Sequence, residues 1–219
     1  MDVLQTEDEQ VDQFKQWWAK NGKQVLLGIA IAAALATGIR LWVQYQEGRR
    51  MAAAVLYEQV LQAMEKKDNA TAMQQGAAVI EQYSGTAYAA LSGLVMARLE
   101  WEKGEKDAAR KRLMWVIEHT GNAELQHVAR LRLARLWMAD NKLEEAVKLV
   151  NQQDAGAFTA AYQFIKGDIL LQQGKPQEAQ AAFYAVVNDA TAVGELHNQA
   201  QQRLDDLGAP PPPQPEAKS

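Results

Sequence analysis

The chain has 219 residues, enough for one ordinary domain with accessory segments. Its net charge of −4 gives no electrostatic footprint for nucleic acid. The absence of cysteine removes disulfides, thiolate metal sites and thiol nucleophiles together. Five of the six prolines fall in the last ten residues, and Pro176 opens a segment where a first helical turn tolerates proline. A body rich in Ala, Leu, Gln and Glu, without alternating β-branched runs, is expected to be all-α.

Residues 1–24 form a polar N-terminal segment containing Trp17 and Trp18. Residues 25–43 follow as VLLGIAIAAALATGIRLWV, uncharged from Val25 to Ile39. At a helical rise of 1.5 Å per residue this run reaches roughly 28 Å, about one hydrocarbon core. Arg40 sits where its stem can snorkel, and Trp42 and Tyr45 suit an interfacial belt. An uncleaved transmembrane helix is the expectation. A cleavable signal ending near Ala34-Leu35-Ala36 competes with it, against 24 preceding residues that carry five acids. Basic residues tie across the span, so charge alone does not orient it. Gly28, Ala32 and Ala36 share one helical face, a spacing that lets a partner helix approach closely.

The domain from 44 to 208 divides into helix-length pieces: 49–66 with 70–83, 86–103 with 105–119, 123–140 with 142–153, and 157–173 with 176–189. A closing helix is expected near 192–207. Three turns align without gaps, at Gly104, Asn141 and Gly174, residues that favour a left-handed conformation. Seven residues before them stand Ala97, Ala134 and Gly167, and five after stand Ala109, Ala146 and Ala179. Four residues further on come the bulky Leu113, Val150 and Phe183. This small–turn–small–bulky spacing resembles the tetratricopeptide repeat and predicts a solenoid of helical hairpins. The pair at 49–83 fits least well and is expected to lead out of the membrane helix. The tail 209–219, containing PPPPQPEAKS, is expected to be extended and disordered.

Catalytic patterns are missing. His119, His127 and His197 sit on separate segments without zinc-binding spacing, and no glycine-rich phosphate loop or nucleophile elbow occurs. No enzyme and no cofactor are expected. Trp101, Trp115 and Trp137 read as core residues.

Binding remains. The first helix of each pair in such an array presents Leu94, Arg98 and Trp101, then Leu131, Arg135 and Met138, then Phe164, Asp168 and Leu171. Arg98 and Arg135 occupy one repeat position beside Trp101 and Met138, a pairing that suits an acidic or amphipathic peptide, or else simple solvated surface.

The N-terminal pattern Glu9-x-Val11, Lys15, Trp17-Trp18 and Ala19-x-Asn21-Gly22-Lys23, running directly into the apolar segment, resembles the YfgM-type ancillary subunits of the SecYEG translocon. The resemblance extends over the span and the repeats. It implies a single-pass protein of the bacterial inner membrane, N-terminus cytoplasmic and repeats periplasmic. The partners it implies are the SecYEG translocon, a membrane-anchored periplasmic chaperone of the prolyl-isomerase type, and exported polypeptides. Two other uses of an anchored repeat array stay open: sequestering a signalling regulator, or serving envelope assembly or division.

Overall fold

The computed structural model describes residues 3–151 and 155–209, with side chains from residue 11 onward. The expectation for the tail at 210–219 lies outside the described residues. Every regular element described is helical, as the composition predicts. Two units divide between Met51 and Ala52.

The first unit is helical throughout its described length and belongs to α1 (Val3–Glu65). It contains an apolar run long enough to cross a membrane, and none of that run is buried against protein. Leu27, Leu35 and Ile39 are each more than 60% exposed, so the segment has no polar face to offer water. Thr37 donates its hydroxyl to the Ala33 carbonyl at 2.8 Å, which satisfies the run's one side-chain hydroxyl within the helix. Just ahead, Phe14, Trp17 and Trp18 form a ring cluster with centroids 6.2–6.4 Å apart. Gly22 leaves room for it, since a Cβ there would stand 3.2 Å from the Trp18 ring.

The second unit is the repeat body. After the last turns of α1 it comprises α2 (Asn69–Tyr83), α3 (Ala87–Glu102), α4 (Lys106–His119), α5 (Ala123–Ala139) and α6 (Leu143–Val150). A short 3₁₀ turn at Gly156–Phe158 then leads into α7 (Thr159–Gln172), α8 (Pro176–Val187) and α9 (Glu195–Asp206). The expected boundaries hold within a few residues, with one correction at the closing helix. The piece at 49–66 leads out of the apolar helix without a break, as expected, because the helix-favouring run Met51-Ala52-Ala53-Ala54 gives α1 no reason to stop. The closing helix starts at Glu195 rather than 192 because Gly194 takes a φ of 66°.

Left-handed residues close the hairpins at Gly104, Asn141 and Gly174 as expected, and also at Lys67, where no glycine or asparagine signals it. In all four, the next residue's N–H donates to the carbonyl five residues back at 2.9 Å, and the left-handed residue's own N–H donates three back. These paired bonds satisfy carbonyls that a helix end otherwise leaves open. The hairpin of α1 and α2 is therefore built like the rest. Gly208 ends α9 the same way.

Packing follows the sequence pattern. Ala97 and Ala134 are buried, Gly167 with them, and Ala109, Ala146 and Ala179 are wholly inaccessible. Leu113, Val150 and Phe183 fill the space between neighbouring hairpins. Trp115 and Trp137 are partly buried against these clusters, Trp137 with Arg110 4.6 Å and Lys142 4.9 Å from its ring. Arg110 pairs with both Asp107 and Asp140, and Lys106 reaches Asp140 at 2.7 Å, which ties α4 to the end of α5. The Lys106 and Arg110 donors hold the Asp140 carboxyl below the usual carboxylate range. His119 ends α4 with Nδ1 2.9 Å from the Trp115 carbonyl oxygen, the terminal position expected for it.

Candidate protein-binding groove

The odd-numbered helices of the repeat body share one face because each hairpin repeats the same register from its turn. Ten residues before the turns stand Tyr57, Leu94, Leu131 and Phe164. Six before stand Leu61, Arg98, Arg135 and Asp168, and three before stand Met64, Trp101, Met138 and Leu171. The Tyr57–Leu61–Met64 set belongs to the Lys67 hairpin and was not singled out from sequence. The signal for it was the spacing to Ala72, five residues after Lys67, which is fully buried.

Four of the expected residues meet in one open cleft of about 230 Å³, lined by Leu94, Arg98, Trp101 and Arg135 with Leu113, Leu136 and Arg132. Met138, Asp168 and Leu171 line a second cleft, together with Arg203 of α9. Leu131 and Phe164 line neither; each is only 6% exposed and packs into the core beneath the face. Leu94, Leu131 and Phe164, ten residues before their turns, thus form a buried floor, while the residues six and three before are partly or fully exposed.

The first cleft is apolar at its base and cationic at its edge. Leu94 is 4% exposed and Leu113 2%, while Arg98, Arg132 and Arg135 are exposed. Arg98 is neutralised by Glu102 at 2.7 Å, four residues along the same helix. Arg132 donates to the Leu94 carbonyl oxygen at 3.4 Å, which draws it from α5 towards α3. Asp168, the acid across the face, is bonded to Arg203 at 3.0 Å. Burial of its surroundings, then the Arg98 charge, holds the Arg132 guanidinium below its ordinary value. Burial does the same to Arg135, which Arg132 reinforces and Asp168 opposes. The exposed guanidiniums therefore repel one another at the rim of the cleft.

Arg132 was not among the expected residues. It lies three residues before Arg135, on the edge of the same helical face, and its i, i+3 spacing was the available signal. The pairing of Arg98 with Arg135 at one repeat position is real in register, but the charge excess resides in Arg132 and Arg135. Gly28, Ala32 and Ala36 lie exposed in the first unit, and a Cβ on Gly28 would meet nothing within 4 Å. Among the described residues no group of three or more His, Asp or Glu side chains is placed to hold a metal.

Similarity to known proteins runs the length of the chain. An Escherichia coli protein named "Ancillary SecYEG translocon subunit" is 27% identical over 210 residues, covering 94% of this chain and 99% of that protein. Proteins of the same name from Haemophilus influenzae and Neisseria gonorrhoeae are 26% and 25% identical, covering 81% and 92% of this chain and 86% and 97% of their own lengths. The resemblance read from the N-terminal pattern is thereby borne out. No solved structure matches the chain. The tetratricopeptide repeat-like domain family matches residues 15–209, in keeping with the repeated hairpins and their common turns, and this chain belongs to that family.

Proposed function

We propose that this protein is an accessory subunit of a SecYEG-type translocon, anchored in the bacterial inner membrane by residues 25–43 with its N-terminus cytoplasmic and residues 44–208 periplasmic. The observation that carries the reading is near end-to-end similarity to relatives bearing that name, which takes in both the apolar helix and the repeats. The role is non-enzymatic. The span docks beside the channel, with Gly28, Ala32 and Ala36 giving a neighbouring helix close approach. The groove formed by α3, α5 and α7 holds either a membrane-anchored prolyl-isomerase-type chaperone or an exported polypeptide as it emerges. A solenoid face suits this work because it offers an extended surface to a segment lacking fixed structure.

Deleting residues 1–43 tests the division of labour. Translocon subunits are expected to stop co-purifying, while the remaining body keeps a helical far-ultraviolet spectrum and a cooperative melt. Persistence of translocon co-purification after the deletion contradicts docking through the span.

A further inference from the structure

We propose that the cleft between α3 and α5 selects acidic segments, with Arg132 and Arg135 pairing carboxylates while an adjacent aliphatic side chain enters the apolar base. The proposal deepens the groove reading above by naming the ligand chemistry, and it rests on that reading.

Charge balance around the cleft carries the argument. Arg98 brings its own counter-ion in Glu102, and Asp168 is engaged by Arg203. Lys106 lies 5.3 Å from the Trp101 ring and is itself paired with Asp140. Of the three arginines that line the cleft, this leaves Arg132 and Arg135 without an ion pair within 4 Å among the described residues, with the Asp168 charge acting on Arg135 only from a distance. Arg132 spends one N–H on a backbone carbonyl, leaving most of its fork free. The repulsion between these guanidiniums is relieved when a carboxylate arrives, and the planar forks can meet it in bidentate fashion. This excess stands on a protein whose overall charge is negative, so it is not a general cationic surface.

Beneath the charges, Leu94, Ala97, Leu113 and Leu136 form a base that a chain of charges alone would leave empty. An occupant that uses both parts alternates acidic with aliphatic residues in extended or single-turn form. A lone anion such as inorganic phosphate would satisfy only the rim.

The test uses the full chain in nanodiscs of zwitterionic lipid. Fluorescence anisotropy is read with a short fluorescein-labelled peptide alternating leucine and glutamate, and with its glutamine counterpart. The acidic peptide is expected to bind about tenfold more tightly, a preference that fades as ionic strength rises from about 0.05 to about 0.5 M. Arg132→Gln with Arg135→Gln abolishes the preference, whereas Lys175→Gln with Glu178→Gln, which removes an exposed neutral pair away from the cleft, preserves it. Helical spectra and melts establish that both variants are folded. Equal binding of the two peptides, or an unchanged preference in the Arg132→Gln/Arg135→Gln chain, overturns the proposal. So does competition for the same two arginines by phosphatidylglycerol vesicles, which would assign the cleft to a membrane surface. Translocon co-purification of the Arg132→Gln/Arg135→Gln chain is measured in parallel. Its retention with no peptide preference in the unaltered chain refutes the ligand assignment alone, and loss of co-purification from the unaltered chain refutes the scaffold reading.

Discussion

Gly167→Ala destabilises the repeat body by about 1–2 kcal/mol, and Gly167→Val by about 3 kcal/mol. An added Cβ would stand 2.5 Å from Cε1, 2.7 Å from Cζ and 2.9 Å from Cδ1 of Phe183, a ring with no solvent exposure. A flexible side chain would swing aside, but this ring meets Phe164 edge-on at 5.6 Å and has α7, α8 and α9 residues packed around it. Alanine does gain up to about 1 kcal/mol over glycine in a helix interior, so the two effects oppose. Overpacking wins because both the backbone of α7 and the ring are fixed by neighbouring layers. Gly48 supplies the control: a Cβ there meets nothing within 4 Å, so Gly48→Ala leaves stability unchanged or raises it. Urea melts of the three variants check the ordering. Adding Phe183→Leu to Gly167→Ala should cost less than the two changes separately, and strict additivity would mean the ring is not the obstacle.

Arg112→Ala is the second large effect, expected to cost about 2–4 kcal/mol. Glu100 is only 3% exposed, and its Oε1 accepts from Arg112 Nη2 at 2.9 Å and Nε at 3.3 Å. Its other oxygen, Oε2, has no hydrogen-bond partner among the described residues. Removing Arg112 strands a carboxylate between α3 and α4, where water reaches poorly. The figure stands below the full cost of breaking a buried pair because 28% of the Arg112 side chain remains exposed. Glu100→Leu with Arg112→Met restores most of the loss, since exchanging a whole buried pair for apolar volume is often neutral. A loss under about 0.5 kcal/mol for Arg112→Ala in urea melts would show that solvent already serves Glu100.

The legible parts of this fold are those where one residue type answers one physical demand. Gly104, Asn141 and Gly174 announce left-handed turns, and the small residues seven before them and five after announce close helix contact. Lys67 meets the same left-handed demand with a side chain that carries no such signal, so the pair 49–66 with 70–83 was legible as two helices but its turn register was not. The groove was half legible. Repeat position picked out Arg98, Trp101 and Arg135, but it cannot tell that Glu102 cancels Arg98 or that Arg132 leans across to α3. Those depend on side-chain reach between helices, which periodicity does not record. Likewise Leu131 and Phe164 share the repeat position of Leu94 but pack into the core without lining a cleft.

Photoreactive residues placed at Ala32, Arg98 and Trp101 in native membranes, with crosslinked partners identified by mass spectrometry, test whether this protein is a translocon scaffold. Channel subunits are expected from Ala32, and a membrane-anchored chaperone or exported chains from Arg98 and Trp101. Soluble cytoplasmic partners at Arg98 and Trp101 would contradict it, since they would place the repeats on the opposite side of the membrane.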